Sequence, residues 1–453
     1  TVFAETNDVF KANGINNFDD LVAKCKEWYG NAASGSRSMT SGWYDYFRNN
    51  NIEVDMSSDY TKQNNVVNMF VSYHILKTAV NANVLAFKNN THTTHGCTGD
   101  AYDYYETMLP MTLIKAWKVT SEGDKIYLNR YVQNNTLTDG IETVGSAAMH
   151  QMVYKGVEVD VDSLKQPLNG YVYPIKDILL YDGKVPLGVL NERMRFDALT
   201  LLGETMDNGF RGAYVKDITA LNSGKSAARV RFPIDYFDNV VVFNGNNTQL
   251  DMNLVADPGL KAYSLYKGDS FQGMGVFDFA IKLPPVPDGT YEMRINLDCM
   301  PHGTMLQLYI GDKPEIASME PLSIPLDMRM AMDENDPAIK AMGFVRLDDE
   351  SLHPEAYADR GLETDKIMRS HGFLRGPLSV RRQNESTDAF IVRFIPHQFR
   401  RILDTRQLRQ QDYWLRLKTV LDDGNLERKF QIDYIEFVPI GVAQNQQYLE
   451  DWY

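Results

Sequence analysis

The spacing of apolar residues separates an N-terminal region with a helical period from a C-terminal region with a strand period. Residues 17–30 give the clearest helix, because apolar side chains recur at helical spacing between Asn17, a good N-cap, and Gly30, a helix stop. A second helix is predicted from about residue 61, with His74 on its apolar face. A third helical stretch, from residue 190 to the turn at Asn208-Gly209, is predicted to connect the two regions.

From about residue 227 apolar and polar residues alternate, as they do in strands. Residues 291–297 alternate throughout, so one face of that strand is expected in the core and the other in water. The alternation slips between Ile432 and Ile435, which predicts a β-bulge or burial on both faces. Short strands with long loops favour a two-sheet sandwich of jelly-roll type. The predicted strands are residues 229–232, 239–243, 275–283, 291–297, 305–310, 389–395, 413–420 and 430–438.

Composition narrows the class of protein. The chain has 453 residues, of which 43% are hydrophobic and 23% charged, as in a globular protein with a sizeable core. A net charge of −14 argues against general binding of nucleic acid or anionic lipid. No apolar run approaches the ~18 residues of a membrane-spanning helix. Three widely spaced cysteines form no disulfide framework.

Three segments of the N-terminal region resemble the signature motifs of fasciclin-like domains, and they occur in the family's order. They are residues 1–10 (Thr-Val-Phe-Ala-Glu-Thr-Asn-Asp-Val-Phe), the pair Tyr73-His74, and residues 169–180, which begin Asn-Gly-Tyr-Val-Tyr-Pro. Glu5 stands where the family usually has proline. The resemblance implies an α+β domain over residues 1–182, truncated at its N-terminus, in which His74 has a structural role and makes a hydrogen bond that holds its helix.

The C-terminal region resembles, more loosely, the jelly-roll partner domains of fasciclin-type surface proteins from gut Bacteroidetes. Residues 288–295, 306–312 and 431–439 carry this resemblance. The implied order is a fasciclin-like domain (1–182), a helical connector (183–222) and a jelly-roll β-sandwich (223–453). The implied location is the cell surface or outer membrane, or its periplasmic face, with a lipid anchor preceding Thr1.

Arginine and tyrosine supply the candidate ligand-binding residues. Residues 371–430 contain twelve Lys and Arg against seven Asp and Glu. Guanidinium groups bind sulfate or uronate bidentately, so these arginines are candidates for binding an anionic glycan. The alternative is that they lie on solvated strand faces and pair with nearby acidic residues. Tyrosines on loops can stack on the apolar face of a sugar ring, so they are candidates for carbohydrate binding. The alternative is that their rings are buried in the core. The candidates are Arg375, Arg381, Arg400, Arg401, Tyr102, Tyr104, Tyr105, Tyr263 and Tyr266.

Metal ligands and cofactor motifs are weak in this sequence. His92, His95 and Cys97 form the only compact set of soft ligands, and Asp100 or Asp103 would have to complete a zinc site. Their spacing matches no standard zinc signature. The acidic residues 333–336 fail the calcium-loop rule, because Pro337 stands where a ligand is needed. We therefore predict no metal and no cofactor.

The sequence contains no nucleophile-elbow, zinc-protease, dinucleotide or phosphate-loop motif. A carboxylate pair for glycoside hydrolysis leaves no such motif, because its members meet only in the fold. Two hypotheses follow. The favoured one is a non-enzymatic cell-surface adhesion or carbohydrate-binding protein whose partner is an extracellular glycan or a surface protein. The alternative is a polysaccharide-processing enzyme with a carboxylate site in the sandwich.

Overall fold

The computed structural model describes residues 1–39, 41–87, 101–133, 151–211, 228–254, 266–297, 303–329, 337–341, 366–374, 382–384, 387–390, 399–421 and 429–444. Within these residues strands outnumber helices, and most strands lie in antiparallel sheets. The fold is therefore β-rich.

The helices are short, and the longest is the one predicted over residues 17–30. The Asn17 side chain caps it by accepting a hydrogen bond from Asp20 N, and Gly30 ends it. The second predicted helix begins later than expected, where the Asn65 side chain accepts from Val67 N. The helices of the described residues are α1 (Asn7–Ala12), α2 (Phe18–Tyr29), α3 (Asp45–Asn49), α4 (Val66–Tyr73), α5 (Ala198–Leu201), α6 (Gly203–Asp207), α7 (Pro337–Ala341) and α8 (Ile440–Ala443).

Three small sheets occupy the described N-terminal region. Its strands are β1 (Val2–Glu5), β2 (Ala101–Glu106), β3 (Leu113–Val119), β4 (Lys125–Leu128), β5 (Tyr131–Gln133), β6 (Gln151–Tyr154), β7 (Val157–Glu158) and β8 (Val172–Ile175). Strands β2, β3, β4 and β7 form an antiparallel sheet in that order, and β5 pairs with β6. Strand β1 pairs in parallel with β8, which joins the first and last segments of this region.

Two larger sheets follow. Their strands, with the separate pair β19–β20, are β9 (Met194–Asp197), β10 (Ala228–Phe232), β11 (Val240–Val242), β12 (Thr248–Leu254), β13 (Asp269–Gly275), β14 (Asp278–Leu283), β15 (Gly289–Leu297), β16 (Met305–Gly311), β17 (Met319–Asp327), β18 (Phe373–Leu374), β19 (Arg382–Asn384), β20 (Thr387–Phe390), β21 (Phe399–Leu408), β22 (Tyr413–Thr419) and β23 (Lys429–Pro439). Within the described residues, the large sheet has the order β10-β12-β13-β23-β15-β21-β18, with β9 also on β23. The small sheet has the order β11-β14-β22-β16-β17.

The helix predicted from residue 190 to the turn at Asn208-Gly209 is correct only in its second part, where α5 and α6 lie. Residues 194–197 form β9, which pairs antiparallel with β23, and only short helical segments flank it. Met194 and Phe196 are buried in the core, and Arg195 between them points to the other face of the sheet. This alternation has the two-residue period of a strand. The leucines on either side have helical spacing, and they hid that period in the sequence.

The two larger sheets share a hydrophobic core. The rings of Phe271 on β13 and Phe279 on β14 are 5.9 Å apart. Gly273 lies between the sheets, and a Cβ on it would come within 2.6 Å of the Phe279 ring. Only glycine permits this close approach. The same buried cluster continues from Phe3 in the N-terminal region to Phe437 on β23, so one main core extends through both regions.

The second face of the large sheet is polar, and it too is buried. Glu292, Arg294 and Asn296 on β15 are 3%, 0% and 1% exposed, so the prediction that this face lies in water is wrong. Strand β23 is buried on both faces, and its pairing with β15 shifts register between Ile295 and Leu297. Both features confirm what the phase slip in its sequence predicted.

Among the described residues, no helix combines the length and the apolarity needed to cross a membrane.

Candidate functional site

The three segments that carry the fasciclin resemblance meet at Glu5. Phe3 N donates a hydrogen bond to His74 O at 2.9 Å. His74 is buried; its Nδ1 donates to Phe70 O at 2.7 Å, and its Nε2 lies 2.8 Å from Glu5 Oε1. The same Glu5 oxygen accepts from Leu179 N at 3.1 Å. The Glu5 carboxylate therefore joins β1, the end of α4 and the segment that follows β8.

Replacing His74 with alanine should lower the free energy of unfolding by about 1–3 kcal/mol, because it leaves a buried carboxylate oxygen with one donor fewer. Urea denaturation measures the loss. Lys77→Ala is the matched control, because the Lys77 ammonium pairs with Glu106 at the surface; it should cost less than about 1 kcal/mol. Equal losses of unfolding free energy for the two variants would contradict a structural role for His74.

The predicted arginines separate in the structure. Arg400 on β21 is fully buried, and its Nη1 donates to Glu436 Oε2 at 3.0 Å. The prediction that Arg400 binds a ligand is therefore wrong, because its charge balances the buried carboxylate of Glu436. The neighbouring Arg401 is half-buried, with its guanidinium carbon 3.8 Å from the centre of the Phe373 ring. Arg375 and Arg381 lie outside the described residues.

The predicted tyrosines lie mostly in the interior. Tyr102, Tyr104 and Tyr105 lie on β2 rather than on a loop, and the latter two are buried. Tyr266 is also buried, with its ring 5.3 Å from the Tyr434 ring. The prediction that Tyr104, Tyr105 and Tyr266 offer open faces to a sugar is therefore wrong, because core packing already covers them. Tyr263 lies outside the described residues.

Tyr102 is half-buried, and the protein's own lysine occupies its ring face. Lys115 Nζ lies 4.8 Å from the Tyr102 ring centre and 4.1 Å from that of Trp117. The same ammonium pairs with Glu192. Cation–π attraction and the ion pair together hold this lysine inside the N-terminal region.

A buried arginine cluster surrounds Glu436 on the polar face of the large sheet. Register places Glu436 on β23 between Arg195 on β9 and Arg294 on β15. Arg195 Nη2 lies 2.7 Å from Glu436 Oε1, and Arg193 and Arg294 lie 3.8 and 3.7 Å from its carboxylate oxygens. Burial opposes ionisation of Glu436, but Arg400 and the three other guanidinium groups outweigh it and lower its pKa to about 2.

A second buried charge cluster joins the N-terminal region to the large sheet. Lys267 Nζ lies 2.5 Å from Asp103 Oδ1 on β2 and donates to Tyr102 O at 2.8 Å. Arg211 Nη2 donates to both oxygens of Asp197 on β9, at 2.9 and 2.6 Å, and lies 3.6 Å from Asp103. Asp103 and Asp197 thus share one guanidinium nitrogen.

Two further aspartates complete this cluster, which we call the acid junction: Asp103, Asp197, Arg211, Lys267, Asp269 and Asp433. Asp433 Oδ2 accepts from Tyr266 N at 2.8 Å. The Oδ1 atoms of Asp269 and Asp433 are buried and have no hydrogen-bond partner in the described part of the chain. Burial raises the pKa of both carboxyls well above the usual value. They therefore keep protons at pH values where an exposed aspartate is ionised.

Sequence reasoning missed most of the acid junction and Glu436. It named Asp103, but only as a possible zinc ligand. The signal that pointed to Asp433 and Glu436 was the phase slip in residues 430–438, which predicted burial on both faces. A strand buried on both faces has to pair its charged residues internally.

Gln410 provides a separate contact between the two regions. Its Oε1 accepts from Tyr46 N at 2.8 Å, and its Nε2 donates to Met111 O at 2.7 Å and to Tyr181 OH at 2.9 Å. All three partners belong to the N-terminal region, and the amide is buried. Gln410 therefore fixes the end of β21 against that region.

The described residues contain no group of three or more histidine, cysteine or carboxylate side chains placed to hold a metal ion. His92, His95, Cys97 and residues 333–336, which the sequence analysis considered as ligands, lie outside the described residues.

No protein-family model matches the chain, and no match was found among curated proteins. The functional inference therefore rests on the residues of this chain and their geometry.

Proposed function

We propose that the protein is a non-enzymatic adhesion or glycan-binding component of the bacterial cell surface. In this proposal a fasciclin-like α+β domain precedes a jelly-roll β-sandwich. The observation that carries it is the meeting of three separate motif segments at Glu5, through His74 Nε2 at 2.8 Å and Leu179 N at 3.1 Å. This meeting supports the fasciclin resemblance on which the proposed function rests.

The state of the clustered carboxylates favours binding over catalysis. Glycoside hydrolysis uses two carboxyl groups that flank the scissile bond. Asp197, Asp269, Asp433 and Glu436 are buried, and the first and last are bonded to arginines. None of these four presents an acid or a nucleophile to solvent. The alternative, a polysaccharide-processing enzyme, therefore takes second place.

Arg401 is the residue that we assign to ligand contact among the described candidates. It is half-buried, and its guanidinium lies over the Phe373 ring at 3.8 Å. An arginine stacked on an aromatic ring keeps its planar edge in a fixed orientation, which suits bidentate binding of a sulfate or a uronate. The proposed ligand is accordingly an anionic glycan.

Binding of the full chain to an array of sulfated, uronate-containing and neutral glycans tests this function. We expect saturable binding to the anionic glycans, and Arg401→Ala should weaken it about tenfold or more, the value of a charge-assisted hydrogen bond. Arg409→Ala is the matched control, because Arg409 is an exposed arginine just beyond β21. It should leave binding unchanged.

Two results would overturn parts of the proposal. If the chain bound no glycan but attached to a surface protein, the ligand would be a protein partner. If the intact chain shortened a polysaccharide, the non-enzymatic assignment would be wrong.

A further inference from the structure

We propose that the acid junction is a proton-operated lock between the N-terminal region and the large sheet, closed while Asp269 and Asp433 carry protons and loosened when they ionise. This inference is independent of the proposed ligand. It rests on the position of the cluster, its charge balance and the bonding of its oxygen atoms.

The acid junction lies where the two regions touch. Asp103 belongs to β2 of the N-terminal region, whereas Lys267 lies in the turn that leads into β13 of the large sheet. Lys267 Nζ bonds to Asp103 and to Tyr102 O, so a single ammonium spans the contact. Nearby, the rings of Tyr104 on β2 and Phe196 on β9 pack 5.3 Å apart. Any loosening of the junction therefore separates β2 from the large sheet.

The charges at the junction do not balance when every group is ionised. Among the described residues, four carboxylates (Asp103, Asp197, Asp269 and Asp433) face Lys267 and Arg211. Arg195 also faces Asp433, but its guanidinium is bonded to Glu436 at 2.7 Å. Full ionisation would leave two negative charges in a site shielded from water, which is strongly unfavourable.

The neighbouring tyrosines do not supply the missing charge balance. Within the described residues, Tyr105 and Tyr266 also face the carboxyls and can titrate. Burial raises the pKa of Tyr105 well above the usual value and that of Tyr266 to about 12. Both therefore stay neutral, and the balance is left to protons on the aspartates.

The bonding of the oxygen atoms identifies which carboxyls carry those protons. Asp197 has both oxygens bonded to Arg211, as an ionised carboxylate would. Among the residues that the structure describes, the Oδ1 atoms of Asp269 and Asp433 have no donor, and both are buried. Gln272 Oε1, on the same strand as Asp269, is a buried acceptor that has no donor within the same residues. A carboxyl O–H supplies the kind of group that these acceptors need.

The direction of the pH effect follows from proton release. The closed junction binds protons that the open junction, with exposed aspartates, gives up above about pH 4. Opening therefore becomes more favourable as pH rises, by up to about tenfold per pH unit for each carboxyl, until the pKa of the closed form is reached. Acidic conditions close the lock.

Hydrogen–deuterium exchange of the full chain between pH 5 and pH 8, corrected for the intrinsic exchange rate, measures this opening. Peptides covering β2 and β13 should open more as pH rises, by up to about a hundredfold per pH unit when both carboxyls release their protons, whereas a peptide covering β22 of the small sheet should not change. Asp269→Asn and Asp433→Asn replace the carboxyl with a neutral amide, and each should lower the slope, because only one of the two titrating protons remains. Asp251→Asn, a buried aspartate on β12 bonded to Arg231, should leave the slope unchanged.

The proposal fails if wild-type β2 and β13 exchange independently of pH. It also fails if both Asn variants keep the wild-type slope. Should either variant not fold, the wild-type profile alone decides, because a flat profile contradicts the lock directly.

Discussion

Replacing Glu436 with glutamine is expected to lower the free energy of unfolding at pH 7 by about 3–5 kcal/mol, the usual cost of breaking a buried ion pair from one side. Glutamine keeps the shape of the side chain but removes the charge that Arg193, Arg195, Arg294 and Arg400 surround. Four guanidinium groups would then lie together inside the protein without that carboxylate. Urea denaturation followed by circular dichroism measures the loss.

The control for this variant is Glu320→Gln. Glu320 pairs with Arg406 at 2.9 Å but is 69% exposed, so its loss should cost less than about 1 kcal/mol. Similar losses at the two sites would mean that the arginine cluster does not depend on its central carboxylate.

The lowered pKa of Glu436 also leads us to expect that the protein loses stability in acid. The pKa of Glu436 is lowered to about 2, below the value of an unfolded glutamate near 4.3. A lowered pKa stabilises the folded state above the unfolded value, and that contribution disappears as pH falls towards 2. Wild type should therefore lose stability between about pH 4 and pH 2, and the Gln variant should lose less over that interval.

Replacing Arg211 with methionine is expected to cost about 3–5 kcal/mol at pH 8. The guanidinium bonds to both oxygens of Asp197 and lies 3.6 Å from Asp103, so its removal leaves the acid junction with Lys267 alone. The loss should be smaller at pH 5, because burial raises the pKa of Asp197 and a proton then replaces the missing cation. Urea denaturation at the two pH values measures both quantities.

Arg231→Met serves as the matched control for Arg211. Arg231 bonds to Asp251 on the same sheet, but its side chain is 55% exposed. Its loss should be about 1 kcal/mol and similar at both pH values. A loss for Arg211→Met that does not change with pH would show that the remaining carboxyls of the junction take up no proton.

The sequence correctly predicted the features that depend on neighbouring residues alone. Asn17 and Gly30 mark the ends of α2, because capping involves only a few neighbouring residues. The phase slip in residues 430–438 predicted the register shift and the burial of β23 on both faces. The strand β9 was missed because its four residues lie between segments with helical spacing, and its pairing with β23 is a long-range event.

The candidate site was harder to predict, because alternation shows which residues share a face and not what covers that face. Arg294 belongs to a strand with a regular polar side, which the sequence placed in water, and Arg400 lies outside every strand predicted from the sequence. In the fold both residues are fully buried beside Glu436, which is distant in sequence from Arg294. The missing information was the contact of the large sheet with β9 and with the N-terminal region.

The N-terminal region and the large sheet are expected to unfold as one unit, and this expectation can be tested directly. Gln410, the Lys267–Asp103 pair and the continuous core all join them. Scanning calorimetry of the full chain at pH 5, where we expect the acid junction to be closed, should show a single transition whose calorimetric and van't Hoff enthalpies agree. Two separate transitions, with the N-terminal region unfolding independently of the large sheet, would contradict it.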